Sequence, residues 1–336
     1  MHIGKSYRLG EFIAWTRRRL AILLLLSVLP VVLHQLAGWH WLALPWVLVA
    51  VLGAASSFIV GFKNAQTYGR TVEAQQVWTA IAAASRYWSL ICRDFPTQAG
   101  HAAPLLQRHL AWLTALRFQL RRPRPWETAA VGADLAYRAG RFRVPEQDSA
   151  LEMELGRHLA PPELATVMQA RNKAALLLGL QSAAIRELYT RQLLVVLHHT
   201  EMQKTLRELV DQQARAERLK NFPYPRQYAI VNRIFVWTFA ALLPFGLVGE
   251  FARLAAGAQG PVAAVLPWLA APASLLVSWL YVSLDQVGAS TENPFEGGAN
   301  DVPITRICQV LAHELREMAG ETDLPPLARP EGAIIL

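Results

Sequence analysis

Two long stretches of the 336-residue chain lack charge. Between Arg19 and Lys63 there are 43 residues without Asp, Glu, Lys or Arg. From Ile234 to Leu284, 51 residues hold only Glu250 and Arg253. A crossing of the hydrocarbon core takes about 20 apolar helical residues, so each gap has room for two. These absences argue against a soluble globular protein and against a charge-rich disordered chain. Cysteine is scarce: Cys92 and Cys308 form no disulfide framework and no repeated metal spacing. Cys308 falls on the apolar face of the last amphipathic stretch, where a core thiol is expected. The chain also lacks a phosphate-binding glycine loop, a dinucleotide fingerprint, an H-E-x-x-H helix and a G-x-S-x-G elbow. No catalytic motif remains, and no enzyme is expected.

Two features imitate sites without making them. Adjacent His198 and His199, with Glu201, would project about 100° apart on a helix, which suits a polar face better than a metal cluster. The loop Arg121-Arg122-Pro123-Arg124 has no interleaved aromatics. It reads as a solvated loop or lipid-headgroup contact rather than a nucleic-acid surface.

The charge that is present is unevenly spread. Residues 1–19 hold five basic and one acidic residue, and 63–226 hold 23 basic and 14 acidic. Residues 284–336 reverse the sign, with three basic and nine acidic. Arg17-Arg18-Arg19 abuts the first apolar run, which sets the N-terminus inside by the positive-inside rule. A second apolar run follows at once and no A-x-A site is seen, so the first span is expected to be an uncleaved anchor.

Patterning then gives an all-α membrane protein in four parts. Residues 1–62 form an N-terminal segment and hairpin, with spans about 20–37 and 42–62. Residues 63–227 form a cytoplasmic helical region, with helices near 63–95, 104–120, 127–138, 147–159, 162–170, 173–189 and 190–220. Residues 228–284 form a second hairpin, and 285–336 a cytoplasmic C-terminal segment that packs back on the helical region. In that segment Ile304, Ile307, Leu311, Leu315 and Met318 recur at helical steps. Trp39 and Trp41 suit a membrane interface between the first two spans.

The most informative stretch runs from Ser56 to Arg86. Phe58 and Phe62 are four apart and share a helix face. Gly53, Ala54, Ala55, Ser56, Ser57 and Gly61 permit close helix packing. A helix of this kind can sit beside copies of itself and present a ring of aromatics.

Gly61-Phe62-Lys63-Asn64, then Tyr68-Gly69-Arg70, Glu73-Ala74 and Trp78, resembles a string of the bestrophin family in its prokaryotic branch. Pro223-Tyr224-Pro225, Tyr228 and Leu242–Val248 are similar to a second family segment. Glu292-Asn293-Pro294-Phe295-Glu296 with Asn300-Asp301-Val302-Pro303 is similar to a third. The three lie in family order and cover about residues 1–320.

The resemblance implies a homopentameric channel with four spans per subunit, both termini cytoplasmic, in the bacterial inner membrane. It places Ala54, Phe58 and Phe62 at a pore neck, with Lys63 and Arg70 beside it as possible sources of local anion concentration. A second, cytosolic constriction is implied near Asn172-Lys173-Ala174-Ala175. Asn64, Tyr68, Glu73, Trp78, Pro223, Pro225, Pro294, Phe295 and Asp301 then belong to the structural motifs. Two departures stand out: Ala54 replaces a branched aliphatic residue, and Thr71-Val72 replaces an aromatic pair. Only Glu296 and Asp301 remain of an acidic run that helps hold calcium in eukaryotic members. Calcium prefers six to eight oxygens, so no cofactor and no metal are expected. Asp301 is expected to cap the following helix instead.

The expected activity is passive conduction of chloride or other small anions. The expected partners are four further copies of the chain, membrane lipid and the permeating ion, with no nucleic acid. A cation-selective channel of the same fold stays open, as does a non-conducting membrane scaffold or signalling module.

Overall fold

The computed structural model describes residues 1–4, 8–98, 100–127, 141–324, 327 and 333–336. The helix expected near 127–138 lies almost wholly outside these residues. Among the described residues every regular element is helical, apart from one bridge between His2 and Ile334. The helices are α1 (Leu9–Leu36), α2 (Trp46–Asp94), α3 (Ala102–Arg121), α4 (Pro145–Asp148), α5 (Leu151–Gly156) and α6 (Pro161–Gln169). They continue with α7 (Lys173–Thr190), α8 (Val196–Asn221), α9 (Arg226–Ala256), α10 (Pro261–Val265), α11 (Ala270–Ser290) and α12 (Ile304–Met318).

Four helical stretches are long and apolar enough to cross a membrane, centred on α1, the first half of α2, α9 and the α10–α11 unit. They pack on one another through small apolar clusters, one of which joins Leu23, Val60, Val236, Ala240 and Val282. Close approach depends on missing side chains. A Cβ on Gly53 would lie 2.8 Å from the Phe239 ring. Most of the surface of these helices nonetheless faces outward, as at Leu25, Val47 and Val51. Lipid or further copies of the chain must cover it.

α2 is the spine. No proline occurs between Pro45 and Pro96, and the helix runs unbroken for 49 residues, about 74 Å at 1.5 Å per residue. The second span and the following charged helix, separate in the sequence pattern, are one element. Past Lys63 the buried face continues through Thr67, Thr71, Ala74 and Trp78 into a large core with Trp88, Trp112 and Leu116. α8 lies antiparallel along this half of α2, fixed by Arg218–Glu73 at one end and by Phe95 stacked on His198 at the other. α3, α7 and α12 complete the core.

His109 sits fully inside this core, between Trp88 and Trp112, with no hydrogen-bond partner on either ring nitrogen among the described residues. Burial lowers its pKa from 6.5 to about 3. The folded chain holds it neutral, whereas the unfolded chain takes up a proton below 6.5. Its contribution to stability is therefore complete above that pH and is lost as pH falls towards 3. At pH 5 the loss is about 2 kcal/mol. Thermal melts of His109→Phe should show a shallower acid limb by that amount.

Candidate pore-lining face and its anchor

Along α2, Ala54, Phe58, Phe62, Ala65 and Gly69 fall on one face, and all are exposed. Phe58 is 80% exposed and Phe62 is 53%. Gly61 beside them has open space around it. The exposed positions of this face carry no charge from Ala54 to Gly69. The opposite face, with Gly53, Ser56, Val60, Lys63 and Thr67, is buried. It is stitched to its neighbours: Ser56 Oγ donates to Phe235 O at 3.3 Å, and Ser57 Oγ meets the Tyr281 hydroxyl. The aromatic face is therefore held outward by a bonded back.

Lys63, expected to lend positive charge beside the neck, is instead buried on the back face. Its Nζ lies 2.8 Å from Asp285 Oδ1, and the two side chains are 4% and 2% exposed. Asn232 Nδ2 donates to the same carboxylate at 2.6 Å, and Arg19 Nη1 lies 3.8 Å from its other oxygen. Arg19 is on α1, Lys63 on α2, Asn232 on α9 and Asp285 on α11. One carboxylate thus joins all four apolar helical stretches at one level. Asp285 did not emerge as a site residue from the sequence. It is the first acid after the second charge gap, as Lys63 is the first base after the first, and that symmetry was its signal.

Arg70 is also engaged within the chain. Its guanidinium donates to Glu292 O at 2.9 Å, to Leu219 O at 2.8 Å and to Phe222 O at 2.9 Å. It binds the open carbonyls at the end of α8, where helix dipoles favour a cation. Glu73 pairs with Arg218 rather than with Arg70. Asn64 Nδ2 donates to Leu284 O at 3.2 Å, and a Cβ on Gly288 would lie 2.1 Å from Asn64 Oδ1. Any side chain there would push the Asn64 amide aside. Tyr68 is exposed, Trp78 is buried in the main core, and Pro225 leads into α9 two residues after Pro223.

The residues expected at a cytosolic constriction are engaged within the chain. Ala174 is fully buried, Lys173 Nζ donates to Ala170 O, and Asn172 caps α7 by accepting from Ala175 N at 3.0 Å. An exposed apolar run does occur at the start of α8, where Val195, Val196 and Leu197 are 51%, 59% and 77% exposed.

Asp301 does not cap α12, whose N-cap Pro303 receives no side-chain bond. Its Oδ2 accepts from Gly297 N at 2.6 Å and Gly298 N at 3.0 Å, and lies 3.3 Å from Arg121 Nη1. It closes its own loop instead, and Gly297 meets the turn with φ +88°. Burial raises the Asp301 pKa, opposed by Arg121 and the two backbone donors. Glu296 is buried and accepts from Asn293 Nδ2 at 3.2 Å. Phe295 joins the main core, and Pro294 O accepts from Val302 N. Among the described residues no group of three or more His, Cys, Asp or Glu is placed to hold a metal.

Four apolar helical stretches with a charged helical extension define an integral membrane protein. The chain belongs to the Bacterial/Fungal Bestrophin protein family, whose pattern it matches over residues 8–317. It is 27% identical over 329 residues to the voltage-dependent anion channel-forming protein YneE of Salmonella typhi, covering 96% of this chain and 92% of that one. Identity to YneE of Escherichia coli K12 is 24% over 330 residues, with the same coverages. Among solved structures it is similar to a bacterial bestrophin homolog from Klebsiella pneumoniae. The TM-score is 0.74 at 23% identity, covering 91% of this chain and 99% of that one.

Proposed function

We propose that five copies of this chain surround an axis in the bacterial inner membrane and conduct small anions, chloride first among them. Both termini lie in the cytoplasm, as does the charged helical half. The observation that carries the reading is the exposed, uncharged face of α2 with Ala54, Phe58 and Phe62, held outward by a bonded back. Facing an axis, these residues make a hydrophobic neck that ions cross by partial dehydration. The positive edges of the Phe rings favour anions. The relatives named as anion channel-forming proteins support the same assignment. The exposed run Val195–Leu197, rather than Ala174, supplies apolar surface for a second narrowing about 50 Å along α2 from Phe62.

No metal cofactor enters this reading. Arg121 already places a positive charge beside Asp301, where calcium would need several free carboxylate oxygens. A face without fixed charge discriminates weakly by sign, which makes a cation-passing channel the second reading.

The test is reconstitution of the purified protein in planar bilayers under a KCl gradient, with its mass measured in detergent. A pentameric mass and a reversal potential near that of chloride support the proposal. A reversal potential near that of potassium selects the second reading. A monomer without current defeats both.

A further inference from the structure

Between α3, α5 and α12 the chain leaves a cavity of about 410 Å³, within the range of small-molecule sites. Arg117 reaches it from α3, Arg157 from the end of α5, and Arg316 from α12. His158 and His313 also line it, and among the described residues Glu154 is the acid on its wall. The positive charge is incompletely offset. Glu146 is divided between Arg117, at 3.2 Å, and Arg121, at 3.8 Å. Arg157 pairs with Glu154 at 3.1 Å but is 60% exposed, where such pairs contribute little. Arg316 Nε is 3.9 Å from Glu321, beyond hydrogen-bond distance. The Nε atoms of Arg117 and Arg316 are buried without a hydrogen-bond partner among the described residues. Those two nitrogens are enclosed by protein, so a bound anion would pair with the outer nitrogens of the guanidinium groups.

All three arginines disfavour a proton on the His158 ring. His158 Nδ1 meets Gln107 Oε1 at 2.9 Å, which leaves Nε2. Burial, then Arg316, Arg157 and Arg117, holds its pKa down to about 4. Leu110 and Leu113 give the cavity an apolar side against which an organic group can rest. The cavity is also far from the apolar spans. Arg86 pairs with Glu314 of α12 at 2.8 Å, and lies 24 residues, about 36 Å, beyond Phe62 on α2. A lipid headgroup does not reach that level.

We propose that this cavity is a binding site for a soluble phosphate-bearing anion of the diphosphate class, held by Arg117, Arg157 and Arg316. The site stands independently of conduction. The test is isothermal titration of the full-length, detergent-purified protein with inorganic pyrophosphate at fixed ionic strength. One saturable site per chain is expected. Arg157→Gln and Arg316→Gln should each weaken it about tenfold, the scale of one charge-assisted hydrogen bond. Arg191→Gln, which alters an exposed pair with Glu187 away from the cavity, should leave it unchanged. Phosphatidylinositol phosphate embedded in nanodiscs should not displace pyrophosphate. Absence of saturable binding, equal affinity in the three variants, or displacement by the embedded lipid would overturn the proposal.

Discussion

Phe58→Ala raises chloride flux from liposomes about tenfold. Among the described residues Phe58 is the most exposed large apolar side chain, and it stands on the uncharged face of α2. A phenyl ring placed at an axis narrows the opening and repels water, so ions cross only by shedding part of their hydration. Removing the ring widens the passage and lowers that barrier. A reduction of about 1.4 kcal/mol is enough for a tenfold change. Phe62→Ala changes flux in the same direction and by less, because Phe62 is more shielded by its own subunit. Neither ring belongs to a hydrophobic cluster within one chain, so the variants fold and the flux comparison is clean. If both rings face lipid instead, flux stays within about twofold of the parent.

Asp285→Ala destabilises the protein by about 3–5 kcal/mol, the cost of leaving one partner of a buried ion pair uncompensated. Among the described residues Lys63 Nζ has no other partner, and its side chain is 4% exposed. The carboxylate also holds Asn232 and faces Arg19, so its loss loosens α1, α2, α9 and α11 together. The double variant Lys63→Met with Asp285→Leu recovers much of the loss, since apolar replacement of both partners removes the unpaired charge. Thermal melts in detergent compare the three proteins. A single variant that melts with the parent would contradict this role for the cluster.

The apolar helices were legible because lipid removes charge from every face of a crossing helix, leaving gaps that survive in the sequence. The continuity of α2 was not. At Lys63 the pattern changes from apolar all round to amphipathic, and a change of solvent reads like a change of element. The absence of proline from 46 to 95 was the signal that one helix continues. Phe58 and Phe62 could be placed on one face from their spacing alone. The roles of Lys63 and Arg70 could not, because their partners are distant: Asp285 and Leu219 respectively. Local spacing offered Arg70 the nearby Glu73, but three carbonyl acceptors prevail. At Asn172 a local rule went unused: an Asn before a helical run is a preferred cap. Ala174 is buried because it shares the inward helix face with Leu177, Leu178 and Gln181.

The central claim is that the Ala54–Phe58–Phe62 face lines the conduction path. Phe58→Cys tests it most directly, because the native thiols Cys92 and Cys308 are buried at 1% and 6% exposure. A charged methanethiosulfonate reagent should block current through Phe58→Cys channels in a planar bilayer and leave the parent unaffected. Full current through Phe58→Cys channels whose thiol is shown by mass to have reacted would contradict the account.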